Sequence, residues 1–305
     1  MSRLPGNPLV SGRKNLDDRR EEGGDRAAQI ARPFVKWVGG KRGILTALLD
    51  RLPADFDRYY EPFVGGGALF FALQQHPDRV PTELSDVNAD LVATYQTIQQ
   101  HPDALIAALE VHAARHEPDY YYQVRQQHHL TDPIARAARL LYLNRTCYNG
   151  LYRVNRRGEF NVPIGRYKNP NIVQAENIRA CSAVLQGVAI AHRPFTTIEP
   201  TGDRCLIYCD PPYHPSDDGS FTGYSKLGFS AEDQTRLRDF ARQMHERGHC
   251  VLLSNSSADL IHDLYSGPPF HMKVIDAPRL VNCKSSQRQA VGEVLISTYP
   301  PGKLR

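Results

Sequence analysis

The stretch that decides the fold is Cys205-Leu-Ile-Tyr-Cys-Asp-Pro-Pro-Tyr213, an apolar run closed by an acid, two prolines and an aromatic ring. Five successive uncharged residues suit a strand covered on both faces, as in a parallel sheet held between helices. Pro211 and Pro212 lack the N–H that a strand ladder needs, so the chain turns there. Asp210 and Tyr213 are therefore expected at a strand's carboxyl end, the edge at which open α/β sheets bind their ligands. An Asp-Pro pair alone marks only a turn. The second proline and the ring behind it make a rigid cup the better reading.

Working outward, the same alternation of strand and helix appears on both sides. Tyr59-Tyr-Glu-Pro-Phe-Val-Gly-Gly-Gly-Ala-Leu-Phe-Phe71 reads as a short strand, a glycine turn and the start of an apolar helix. Gly65, Gly66 and Gly67 let the backbone approach a ligand closely, beside the unpaired N–H groups of a helix start. Asp86 follows at about the distance of the next strand end, where an acid typically accepts ribose hydroxyls. A nucleoside-bearing cofactor such as S-adenosylmethionine fits as well as a dinucleotide. Gly40-Lys41 does not open a phosphate loop, because Arg42 stands where Ser or Thr is required. Towards the carboxyl terminus, strands are expected at Val188–Ala191, Cys250–Leu253, Met272–Ile275 and Val294–Thr298. Ser230 and Asp233 form a capping box for a helix burying Leu237, Phe240, Ala241 and Met244.

Composition bounds the class. With 305 residues, 41% hydrophobic and 23% charged, the chain is globular and long enough for one large domain or one domain with an insertion. Residues 1–30 mix both charge signs with almost no apolar side chains and are expected to be a disordered tail. No run reaches the roughly 18 apolar residues of a membrane span, and the amino terminus has no signal-peptide apolar core, which points to the cytoplasm. Six scattered cysteines, none in a Cys-x-x-Cys pair, suggest packed thiols rather than zinc ligands or disulfides. No metal is expected.

Residues 88–183 interrupt the alternation with nearly continuous helix, including an apolar stripe at Ile134, Ala137, Ala138 and Leu141, and read as an inserted helical domain. The core is then 31–87 together with 184–305. The insertion ends in a basic, aromatic segment. Between Arg145 and Lys168 six basic side chains face one acid, Glu159, and the local surplus exceeds the whole chain's +4. Tyr148, Tyr152, Phe160 and Tyr167 are interleaved with them, and Asn149-Gly150 and Arg157-Gly158 supply hairpin turns. Cations meet phosphates, Arg and Asn read base edges, and rings fill a gap in a base stack. A merely solvated charged face would not need so many rings.

In this order the chain resembles the Dam-type, D12-class DNA adenine methyltransferases, from about Pro33 to about Tyr299. The resemblance rests on Val35-Lys-Trp-Val-Gly-Gly-Lys41, Glu61-Pro-Phe-Val-Gly-Gly-Gly67, Asp86-Val-Asn88, Leu143-Asn-Arg145 with Tyr148-Asn-Gly-Leu151, Gly158-Glu-Phe-Asn-Val-Pro163, Gly165-Arg-Tyr-Lys168 and Asp210-Pro-Pro-Tyr213. It implies a Rossmann-like α/β methyltransferase core with an inserted, mostly helical target-recognition domain. It further implies that Trp37, Lys41, Phe63, Gly65, Asp86 and Asp210 line an S-adenosylmethionine pocket. Lys36, Arg145, Tyr148, Asn149, Leu151, Arg153, Arg166 and Tyr167 would face double-stranded DNA, and Asp210, Pro211, Pro212 and Tyr213 would act on an adenine in G-A-T-C or a related short site. The protein would be monomeric in solution, cytoplasmic and DNA-associated, and prokaryotic or phage-encoded. Methylation of cytosine or of a protein glutamine is the rival chemistry, but those motifs usually begin with Ser or Asn. A catalytically dead DNA-binding relative is the other rival, against which the intact Asp210, Tyr213, Asp86 and Lys41 speak. Gly66, often Ala in relatives, and the stretches His214–Leu227 and Arg279–Ala290 depart from the pattern.

Overall fold

Strand β4 (Cys205–Cys209) is buried at every residue, and its side chains alternate between two apolar clusters. Leu206 and Tyr208 enter one cluster; Cys205, Ile207 and Cys209 enter the other. That double coverage is why its sequence carries no polar alternation. The computed structural model describes residues 30–76, 79–214, 229–277 and 291–300. The expected tail, and most of the two divergent stretches, lie outside these residues.

β4 pairs in parallel with β1 (Arg58–Glu61) on one side and with β5 (Cys250–Ser256) on the other. β2 (Thr82–Asp86) continues beyond β1, and β3 (Ala189–His192) beyond β2, again in parallel. On the far side, β7 (Val291–Ser297) runs antiparallel between β5 and β6 (His271–Ala277). The order is β3-β2-β1-β4-β5-β7-β6, a Rossmann-like arrangement in which the strand order reverses between β1 and β4. The crevice at that reversal is where such sheets bind ligands. Here it is flanked by the glycine turn after β1 and the Asp-Pro-Pro-Tyr turn after β4.

Short helices α1 (Leu45–Leu49) and α2 (Ala68–Leu73) precede the helical stretch of α3 (Ala89–Gln100), α4 (Pro102–Ala114), α5 (Pro118–Arg125), α6 (Pro133–Thr146) and α7 (Ala175–Leu185). Asn88 caps α3 by accepting the N–H groups of Asp90 and Leu91, and Asp132 caps α6 through Ala135. The expected α6 stripe is buried at Ala137, Ala138 and Leu141, and it joins one continuous apolar cluster with Leu84, Leu206 and Leu252 of the sheet. Helix α8 (Ala231–Glu246) starts at Ser230 with the predicted capping box, and its Leu237, Phe240, Ala241 and Met244 cover the other face together with Ile261 of α9 (Asp259–Leu264). The described cysteines, Cys147, Cys181, Cys205, Cys209 and Cys250, are free and buried. Cys283 lies outside the described residues. No helix among them is long and apolar enough to cross a membrane.

Candidate active site and nucleic-acid interface

Asp210 stands where β4 leaves the sheet, and two groups meet its Oδ1. Lys41 Nζ lies 2.7 Å away, and Ser254 at the end of β5 donates its hydroxyl at 2.8 Å. The pair is well enclosed, the Lys41 side chain 6% and the Asp210 side chain 20% exposed. Burial raises the Asp210 pKa above the ordinary carboxylate value, while the Lys41 charge and the hydrogen bonds from Lys41 and Ser254 oppose the rise. Lys41 also donates to Gly39 O at 2.5 Å and sits 4.6 Å over the Tyr213 ring. The Tyr213 hydroxyl in turn donates to Glu293 on β7 at 3.1 Å. Carboxylate, cation and ring thus form one rigid wall.

Beside this wall, β1 ends in Glu61, which is 2% exposed and accepts a hydrogen bond from the Tyr59 hydroxyl at 2.8 Å. Burial, reinforced by the Asp210 charge and opposed by that hydrogen bond, pushes its carboxyl up to about 8. The glycine turn then needs its glycines. Gly65 has φ +46°, and a Cβ there would come within 2.7 Å of Trp37 Cδ1. Gly67 has φ +67°, and its Cβ would meet the Tyr95 hydroxyl at 2.7 Å. Asp86 ties the turn to β2 by accepting the N–H of Gly65 at 3.2 Å and of Asn88 at 2.9 Å. Phe63 packs against Phe195 and Phe229, and Trp37 stacks on Tyr152 with ring centres 5.1 Å apart. Trp37, Phe63, Gly65 and Asp86 therefore gather around the ends of β1 and β2. Lys41 lies against Tyr213 and against Asp210, which is expected in the same set.

The basic segment after α6 is looser than a regular hairpin, joined by isolated bridges at Cys147–Ile164 and Val154–Phe160. Asn149 has φ +54° and Gly150 φ +65°, and Asn155 closes the second turn by accepting the N–H groups of Arg157 and Glu159. Tyr148, Asn149, Arg153, Arg166 and Tyr167 are exposed and Leu151 is half-buried. Arg153 is pre-set by Asn161, whose side-chain oxygen accepts its Nε–H at 2.7 Å. Lys36 lies 4.5 Å over the Tyr167 ring, so the loop at residues 33–41 reaches both the basic segment and the cup.

Arg145 takes a different place from the one expected. Its Nη2 donates to Phe34 O inside the protein, and burial lowers its pKa to about 10. It braces the loop rather than presenting a guanidinium outward. Neighbouring Asn144, 1% exposed, accepts the Lys36 N–H and donates to both Lys36 O and Gly150 O. Both residues continue the buried α6 stripe three and four positions beyond Leu141, a spacing that signals inward direction more strongly than charge signals outward. Ser254 and Glu293 were also unforeseen. Their one signal is that Ser254 ends an apolar run and Glu293 interrupts one, where a polar group is costly unless partnered.

The family model for D12 class N6 adenine-specific DNA methyltransferases matches residues 37–280. The Type II methyltransferase M.MjaIII of Methanocaldococcus jannaschii is 39% identical over 290 residues, covering 88% of this chain and 99% of that protein. The Type II methyltransferase M1.LlaDCHI of Lactococcus lactis subsp. cremoris is 39% identical over 277 residues, 88% of this chain and 95% of that protein. The DNA adenine methylase of Escherichia coli K12 is 35% identical over 275 residues, 89% of this chain and 96% of that protein.

Proposed function

Because the chain belongs to the D12 class of N6 adenine-specific DNA methyltransferases, and is itself an adenine-specific DNA methyltransferase, we propose that it methylates the exocyclic N6 of an adenine flipped from duplex DNA, within G-A-T-C or a related short site. The observation that carries this reading is the enclosed Lys41–Asp210–Ser254 contact at the reversal of the sheet.

The adenine amino nitrogen is a poor nucleophile because its lone pair is delocalised into the ring. Lys41 and Ser254 both contact Oδ1, which leaves Asp210 Oδ2 to accept one amino hydrogen. The carbonyl of Pro211 accepts the other. Together they draw the nitrogen towards tetrahedral geometry, and Tyr213 stacks on the base. Lys41 keeps Asp210 ionised against the pull of burial, so the acceptor is charged when the base arrives. No enzyme nucleophile is required, and positioning and electrostatics carry the rate.

The donor fits the crevice. The close approach of Gly65 and Gly67 to their neighbours leaves backbone rather than side chain at the surface of the turn, and Asp86, Phe63 and Trp37 surround it with one acid and two rings. These residues would hold S-adenosylmethionine, which when bound supplies an electrophilic methyl group on a sulfonium. The base must leave the stack to enter the cup, at a cost of a few kcal/mol. Residues 88–183 are read as the target-recognition unit, in which Tyr148 fills the vacated stack and Arg153 reads a guanine edge. Lys36, Asn149, Leu151, Arg166 and Tyr167 complete the DNA face. The protein is monomeric in solution and meets double-stranded DNA in the cytoplasm.

The test is Asp210→Ala assayed for tritiated methyl transfer to duplex DNA, with loss of turnover expected; turnover near the wild-type level overturns the assignment. Methylation-sensitive digestion of DNA from cells expressing the chain identifies the site.

A further inference from the structure

Tyr213 lies between two peptide groups that are both gripped from the protein interior. On its amino side, Gln234 in the first turns of α8 donates Nε2 to Pro212 O at 3.1 Å. Asn255 on β5 donates Nδ2 to Gln234 Oε1 at 2.9 Å. On the carboxyl side of Tyr213, Asn255 Oδ1 accepts the His214 N–H at 3.4 Å, and the Ser256 hydroxyl donates to His214 O at 2.7 Å. Gln234 is 0% and Asn255 1% exposed. Two buried primary amides are costly unless their groups are matched, and this chain of bonds matches them in one direction only. Turning either amide over would set oxygen against oxygen or N–H against N–H.

The grip reaches the reacting position through the prolines. The ring of Pro212 locks its φ, so the peptide plane of Pro211–Pro212 is fixed relative to the Pro212 Cα. Holding the Pro212 carbonyl fixes the remaining torsion at that residue. The Pro211 carbonyl, two residues beyond the end of β4, inherits its direction from that bond. Ser254, next to Asn255, holds Asp210 from the same strand end.

We propose that Gln234 and Asn255 are positioning residues of the adenine clamp, an amide relay that aims the Pro211 carbonyl and fixes the Tyr213 backbone without touching base or donor. This rests on the reading of Asp210-Pro-Pro-Tyr213 given above. Gln234→Met and Asn255→Leu keep the volume and remove the relay. In the full chain, the single-turnover rate of methyl transfer at saturating donor and DNA should fall at least about tenfold in each, as loss of alignment at a reacting centre does. S-adenosylmethionine affinity, measured by calorimetry, should stay within about twofold of wild type, because the relay acts on rate and not on binding. The double variant should be no slower than the worse single one, since one relay cannot be broken twice. The loss should persist on a duplex whose target adenine is mispaired, because the defect lies in holding the base rather than extruding it.

A single-turnover rate within about twofold of wild type in a variant that binds donor normally overturns the proposal. So does a parallel loss of donor affinity and rate, which marks general loosening. Should the amide variants fail to fold, Ser256→Ala, which removes only the hydroxyl on His214 O, must still slow the chemical step; an unchanged rate there also overturns it. Asp210→Ala run in parallel separates the two levels. An active Asp210→Ala chain defeats the clamp reading itself, whereas an inactive one beside a fully active Gln234→Met chain defeats the relay alone.

Discussion

Replacing Lys41 with Met removes the cation beside Asp210 while keeping most of the aliphatic stem. The contact is short, 2.7 Å, and both partners are well below a third exposed, so solvent screens it little. Removing one partner of such a pair costs about 3–5 kcal/mol because the other charge is left stranded. If that energy falls on ionisation, each 1.36 kcal/mol moves a pKa by one unit, and the Asp210 carboxyl rises by roughly two to four units. It already stands above its ordinary 3.8 through burial, so the rise carries it towards neutrality. On the proposed mechanism the ionised Asp210 is the effective acceptor, so the acid limb of the rate profile moves to higher pH. Measured as kcat from about pH 5 to about pH 10 at saturating donor, the variant should lose on the order of a hundredfold on the acid side. It should recover most of that on the basic side, short of what the cation over Tyr213 contributed. An acid limb that stays in place, or a loss equal at every pH, refutes the claim that Lys41 acts by keeping Asp210 charged.

Glu61 supplies a stability test. Its carboxyl lies near 8 in the fold against an ordinary 4.5, so the stability it contributes is present below the lower value and is lost as pH rises through the upper one. Glu61→Gln stays neutral throughout and should melt at a higher temperature than wild type above that window, by several kcal/mol of stability at most, with the two curves converging in acid. A difference in melting independent of pH counts against a buried protonated acid. Arg153→Ala should relax sequence preference by roughly 1–3 kcal/mol more than it weakens binding to random duplex; equal losses on both would make the side chain a phosphate contact.

What the sequence displayed most clearly were positions where one requirement dominates. Cys205–Cys209 is a central strand because burial on both faces leaves no room for polar residues, and Ser230 with Asp233 is a helix start because unpaired N–H groups need acceptors. The basic segment was harder. Its composition announced charge and rings, but positive φ at Asn149 and Gly150 and the proline at 163 replace a regular ladder by isolated bridges. The charge of Arg145 suits an outward place, while its position on the α6 stripe points it inward to Phe34. Net charge describes a segment; helical periodicity decides where one guanidinium goes.

The site itself was legible only as far as single segments go. Asp210 could be placed at a strand end from its own neighbours, but nothing near it in the chain names Ser254 or Glu293. Sheet order supplies them. The carboxyl ends of β1, β4 and β5 share one edge because those strands are parallel, which sets Glu61, Asp210 and Ser254 side by side. Glu293 joins them because β7 runs the other way: its register pairs Ser256 with Glu293, so the amino end of β7 lies at the same edge. A parallel strand in that slot would bring its carboxyl end instead, around Ser297, and the Tyr213 hydroxyl would lose its acceptor. Among the described strands, the antiparallel insertion of β7 is therefore tied to the orientation of the Tyr213 ring.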